Sequence, residues 1–179
     1  MAEFFELSAD ERLEALVQAA DASGRPPHLL EKDVWVVWSL RHLFTAPYAP
    51  HLVFKGGTSL SKAYGIIQRF SEDVDITVDF RGLGCQYSVP ELLQLSGAKR
   101  RKVSDALIAE VGRYTRETVL PYLRSQLHSH GCASQCQLSV SDDGESIHVY
   151  YPAVATDAKG YLRDHVLVEF GGRNIIDPN

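Results

Sequence analysis

Two aspartates, Asp73 and Asp75, alternate with the apolar residues Val74, Ile76 and Val78. A period of two is that of a strand, and it puts Asp73, Asp75, Thr77 and Asp79 on one face. Carboxylates at i and i+2 stand about 6–7 Å apart and repel each other unless a cation lies between them. Mg²⁺ suits that position, because it takes hard carboxylate oxygens together with substrate phosphates. Upstream, the run "FKGGTSLSK" (Phe54 to Lys62) supplies a second chemistry. A short strand entering a Gly-Gly turn and then a helix gathers unpaired backbone N–H groups at a helix N-terminus. That is a place for an anion. Thr58 and Ser59 add hydroxyl donors. The run is not a Walker A loop, since Gly-x4-Gly-Lys-Ser/Thr is absent. Turn and aspartates together describe phosphates held beside metal ions. Two metals about 3.5–4 Å apart stabilise the attacking and leaving oxygens of phosphoryl or nucleotidyl transfer. The bland alternative is a solvated strand edge carrying paired acids.

Other clusters say less. His128, His130, Cys132 and Cys136 could be read as zinc ligands, but their spacing matches no standard finger. The better reading of "HSHGCASQC" is a helix end followed by a strand. Three cysteines are too few and too odd for a disulfide framework. The net charge of −5 excludes a protein that coats nucleic acid. Lys99 to Lys102, with Arg113, Arg116 and Arg124, form either a local RNA-binding patch or a solvated helix face. The N-terminus is acidic and amphipathic, unlike a signal or transit peptide, and no apolar run reaches the length of a membrane span. The expected address is the cytoplasm, with no membrane partner.

The elements that must position these residues follow from pattern. Ser8 to Ala22 reads as a helix opened by a Ser8/Glu11 capping box, with Leu13, Leu16, Val17 and Ala20 on its apolar face. Glu31 to Phe44 reads as a second helix, with Val34, Val37, Trp38 and Leu40–Arg41 spaced for burial. A strand is expected over His51–Phe54, and a helix over Thr58–Ile67 capped by Thr58 or Ser59. Val74–Phe80 reads as the next strand, and residues 82–97 as irregular. Ala98 to about Leu127 reads as a long helix with Val103, Leu107, Val111, Tyr114 and Thr118 on one face, broken or bent at Pro121. Gln135–Ser141 and Ser146–Tyr151 form a hairpin around "SDDGE", and His165–Phe170 a last strand. The 179 residues suit a single domain, 1–179.

Gly-Gly-Thr-Ser, a helix and then Asp-x-Asp on a strand resemble the polymerase-β-like nucleotidyltransferases. The fuller wording "FKGGTSLSKAYGIIQRFSEDVDI", with "EKDVWVVWSL" before it and "VLVEFGGRN" after it, is similar to the AbiEii/AbiGii toxin nucleotidyltransferases. Those are the toxin halves of bacterial toxin–antitoxin and phage-defence pairs. The resemblance runs from about Glu31 to Asn174. It implies an α+β fold, a mixed sheet flanked by helices. It also implies a nucleoside triphosphate as donor and Mg²⁺ or Mn²⁺ as cofactor. Gly56, Gly57 and Ser59 would contact the triphosphate, in a nucleotide-binding set with Lys55, Thr58 and Lys62. Asp73 and Asp75 would bind the metal. The third carboxylate that such a fold needs would be Glu169, completing the metal site and taking a proton from the acceptor hydroxyl. The 3′ end of tRNA is a candidate acceptor, and a cognate antitoxin a candidate partner.

The chain departs from that pattern in lacking a basic residue between Val166 and Phe170. It also stops at Asn179, where longer relatives are expected to continue into a helical region that binds substrate. An alternative reading is therefore a catalytically incomplete nucleotide-binding or protein-interaction module, with Trp35, Trp38 and Phe44 offering an interface. The isolated chain is expected to bind nucleotide–Mg²⁺ but to transfer poorly, its activity depending on C-terminal sequence or a partner. Asp-x-Asp-x-Thr also fits haloacid-dehalogenase-type phosphatases, but "QRFSE" before it is no buried strand.

Overall fold

The structure is a computed structural model that describes residues 2–65, 73–128, 131, 135–156, 163 and 165–172. Its centre is a five-stranded mixed sheet in the order β1-β2-β5-β4-β3. The strands are β1 (Leu52–Lys55), β2 (Asp73–Val78), β3 (Gln137–Val140), β4 (Ser146–Tyr150) and β5 (His165–Gly171). β2 and β5 run parallel at the centre, and the other pairings are antiparallel. Alternation decides the faces. Val74, Ile76 and Val78 of β2, Val166, Val168 and Phe170 of β5, and Ile147 and Val149 of β4 are buried on one face. The intervening residues, Asp73 and Asp75 among them, occupy the other.

Helices supply the apolar partner for the buried face, as an α+β architecture requires. A short α1 (Ala2–Glu6), not anticipated from the sequence, plants Phe5 against Trp35. In α2 (Ala9–Ser23) the Ser8/Glu11 capping box forms as expected, and Gly24 closes the helix at φ 68°. Its buried face differs from expectation. Arg12 and Leu16 are inside, while Leu13 and Val17 are 38% and 43% exposed. The Arg12 charge lies close enough to the buried Glu31 carboxyl to act on it.

α3 (Pro27–Thr45) buries Trp35, Val36, Trp38 and Leu43 beneath the sheet, so both tryptophans are core rather than interface. Phe44 is exposed and packs beside Phe54. The buried stripe is offset from the expected one, and Arg41 points outward.

After β1, which begins at Leu52 because His51 belongs to a 3-10 turn, α4 (Gly56–Lys62) starts two residues earlier than expected. Its cap is Lys55, not Thr58 or Ser59. The expected continuation to Ile67 lies outside the described residues. β2 ends at Val78, so Asp79 leaves the strand face, and its carboxylate is taken by Arg81. The supposedly irregular 82–97 contains α5 (Val89–Gln94), opened by a Ser88/Glu91 capping box. That is the same signal read correctly at Ser8.

Pro121 does not break the long helix. α6 (Gly97–Tyr114) and α7 (Leu120–His128) are joined by a π-helical turn at Thr115–Val119, where the Leu120 N–H reaches the Thr115 carbonyl. The wider turn accommodates a residue that cannot donate and whose ring crowds the preceding turn. The buried stripe runs Leu107, Val111, Thr115, Val119, Leu123 and Leu127, and Thr118 is exposed. The β3–β4 hairpin docks on this helix. A Cβ on Gly144 would strike Gly112, and Arg116 donates to the Ser141 and Asp142 carbonyls.

Candidate active site

The site forms where β1 turns into α4 over the centre of the sheet. Gly56 has φ 73°, a left-handed conformation that glycine adopts without strain. A Cβ there would overlap the Asp75 carboxylate. The turn therefore lies directly against that acid, and only glycine fits twice over. Thr58 is buried, and its hydroxyl donates to the Asp73 carbonyl; Ser59 donates to the Gly56 carbonyl at 2.8 Å. The Thr58 hydroxyl ties the turn to β2, while the Ser59 hydroxyl closes on the turn itself. Gly57 follows in the first turn of α4.

Register then assembles one row across three strands. Lys55 pairs with Asp75, and Asp75 with Glu169. Neighbouring strands lie about 4.8 Å apart, so the two acids stand side by side on the open face. Partial burial, then the Asp75 and Asp73 charges, push the Glu169 carboxyl above its ordinary value, against the pull of Arg163 and Lys55. Asp73 lies one row away and accepts from Arg163 Nη1 at 3.1 Å.

Three consecutive residues of α3 tie this face together, and pattern reading missed their roles. Glu31 accepts from the backbone N–H groups of Val154 and Ala155 at 2.9 Å each. Lys32, fully buried, donates to the Arg163 carbonyl at 2.9 Å. Asp33 pairs with Lys62 of α4. The ammonium of Lys62 is thus engaged at the far end of α4, away from the Gly56 turn. The available signal was a Glu-Lys-Asp run opening an otherwise apolar helix.

The basic residues further along act locally. Arg113 pairs with Glu110, Arg116 clamps the hairpin turn, and Arg124 reaches the Leu138 carbonyl at 3.5 Å. Of the zinc reading, His130 and Cys132 lie outside the described residues, as does the side chain of His128.

The family model of the AbiEii nucleotidyl transferase toxins, of type IV toxin–antitoxin systems, matches residues 38–179. The chain belongs to the AbiEii family. No curated protein and no solved structure matches it. Membership makes it a nucleotidyltransferase, a class of enzyme that generally uses divalent metals and draws on nucleoside triphosphates. The matched span holds every strand and the whole carboxylate row.

The donor set of this AbiEii chain suits a hard divalent ion. It offers only carboxylate oxygen, and desolvation followed by the Asp75 and Asp73 charges raises the Glu169 carboxyl above its ordinary value. Among the described residues, no three His, Cys, Asp or Glu side chains are already gathered as a metal centre. Arg163 holds Asp73 instead, so binding by all three carboxylates requires Arg163 to yield. No helix among the described residues is long and apolar enough to cross a membrane.

Proposed function

We propose that this chain, as one domain, transfers a nucleotide from a nucleoside triphosphate to the 3′ hydroxyl of tRNA in the cytoplasm, as a toxin countered by a cognate antitoxin. The observation that carries the reading is the Asp75–Glu169 register pair, with Asp75 lying against the Gly56 turn. Mg²⁺ held by Asp73, Asp75 and Glu169 would supply charge stabilisation to the phosphates. The chain's own residues do the rest. The Gly56–Gly57 backbone admits the triphosphate closely, with Thr58 and Ser59 fixing the turn's shape. Lys55, beside Asp75, adds positive charge for the phosphates. Glu169, whose proton affinity is raised, accepts the proton of the acceptor hydroxyl as that oxygen attacks the α-phosphorus. The bond from that phosphorus to the bridging oxygen breaks, and pyrophosphate leaves. Lys62 serves the nucleotide only if it exchanges Asp33 for a phosphate.

The test is incubation with each labelled nucleoside triphosphate, Mg²⁺ and total tRNA. Weak labelling of RNA that disappears in Asp75→Asn is the expected result, and efficient labelling would show that the 179 residues suffice. Nucleotide–Mg²⁺ binding without transfer to any RNA would instead favour the non-catalytic module.

A further inference from the structure

The open face of the sheet carries a second cluster that the transfer chemistry does not use. His148 and Tyr150 of β4 meet His165 of β5. His148 Nδ1 lies 3.0 Å from His165 Nε2, so one imidazole donates to the other. Ring centroids are 4.7 Å apart for His148–His165 and 4.8 Å for Tyr150–His165, and His148 and Tyr150 lie within 19° of parallel. All three side chains are half-buried, so each keeps part of its surface in solvent. Burial, then the neighbouring His165 and Arg163 charges, hold the His148 imidazole below its ordinary value, which keeps it a neutral ring at neutral pH.

Position gives the cluster its meaning. Tyr150 pairs with His165, and His148 with Leu167, which itself pairs with Asp73. These residues alternate with the buried Val149, Val166 and Val168, so they share the face of Asp73, Asp75 and Glu169. With strands about 4.8 Å apart and a rise of about 3.3 Å per residue, the His148 Cα lies about 8 Å from that of Glu169, and Tyr150 about 14 Å. The Gly56 turn belongs to the opposite side, beyond β2. A donor lying on that turn leaves the β5–β4 side to the acceptor. The near-parallel faces of His148 and Tyr150, with His165 turned at 61° and 47° to them, offer an unpaired terminal base aromatic surface beside the proton acceptor. Single-stranded RNA is held by stacking on such rings as much as by charge. Stacking also suits a chain with a net charge of −5, which cannot rely on a broad basic surface.

We propose that His148, Tyr150 and His165 form the stacking platform for the 3′-terminal base of the acceptor RNA. The proposal rests on the transfer reading for the word acceptor, and its test is one of binding alone. The probe is a short single-stranded RNA whose 3′-terminal base is 2-aminopurine, a fluorophore quenched on stacking. The wild type quenches it. Tyr150→Leu and His148→Leu weaken binding about 5- to 150-fold, the range of one lost base stack, while Tyr150→Phe retains it. Thermal melts confirm that the leucine variants fold, and their affinity for nucleoside triphosphate with Mg²⁺ stays that of the wild type. Leucine variants that bind the probe as the wild type does, or a wild type that leaves its fluorescence unchanged, overturn the platform. So does a parallel fall in triphosphate affinity, which would assign the rings to the donor base. A wild type that quenches the probe yet binds no triphosphate upholds the platform and sinks the transfer reading.

Discussion

Gly56 carries more of the site than any residue that reacts. Its left-handed φ and its contact with the Asp75 carboxylate are independent demands, and alanine violates both. The conformation alone costs an alanine about 1–2 kcal/mol, and the methyl must also displace Asp75. Gly56→Ala is expected to lower the urea midpoint and to abolish nucleotide–Mn²⁺ binding in calorimetry. Gly57 is different. It is not among the glycines with positive φ and sits within α4. Gly57→Ala therefore keeps the fold and gains up to about 1 kcal/mol of helix propensity. A larger side chain there, as in Gly57→Val, is expected to block the triphosphate. Retained nucleotide affinity in both Gly56→Ala and Gly57→Val would place the triphosphate elsewhere.

At the scale of elements, α3 is a brace rather than a mere core helix. Its Glu31 and Lys32 are buried charges that hold the backbone leading into β5, and Asp33 holds α4. Burial raises the Glu31 carboxyl above 4.5, against the two backbone N–H groups and Arg12. The folded state thus binds this proton more tightly than the unfolded chain does. The stability Glu31 contributes is fully present below its unfolded value and is lost as pH rises through the raised one. Glu31→Gln removes that titration. The stability difference, wild type minus variant, is expected to be largest near pH 4 and to shrink toward pH 7 in urea titrations. A difference that grows with pH would mean that the backbone N–H groups outweigh desolvation. Lys32→Met removes the hydrogen bond to the Arg163 carbonyl, with an expected cost of about 1 kcal/mol.

For the molecule as a whole, the proposed site asks for metal and nucleotide together at the Asp75–Glu169 row. Neither metal nor nucleotide alone supplies both the cation and the phosphates that complete its coordination. Thermal melts should therefore show a small shift with either and a larger one with both. At a nucleotide concentration about 100 times Kd the gain is about 2.7 kcal/mol, or a Tm rise of about 5–10 °C for a chain of 179 residues. Additive shifts, or none with both present, would argue against a joint site.

The sequence by itself determined what local rules determine. Alternation placed Asp73 and Asp75 together, the Ser8/Glu11 box opened α2, the "SDDGE" turn made a hairpin, and the Gly-Gly run joined a strand to a helix. Each of these signals is complete within a few residues and agrees with the contacts the rest of the chain makes. Only the tertiary structure decided the rest. Glu169 stands beside Asp75 because β5 pairs parallel with β2, a contact between residues 94 positions apart (169 − 75). Arg12 lies on the buried face of α2, and the π-helical turn before Pro121 moves burial from Thr118 to Val119. Arg163 and His165 come to this face with β5, and His148 and Tyr150 through the antiparallel pairing of β4 with β5. Such contacts depend on which strands become neighbours. That is settled by burying both faces of every apolar stripe at once, a condition no short window of sequence contains.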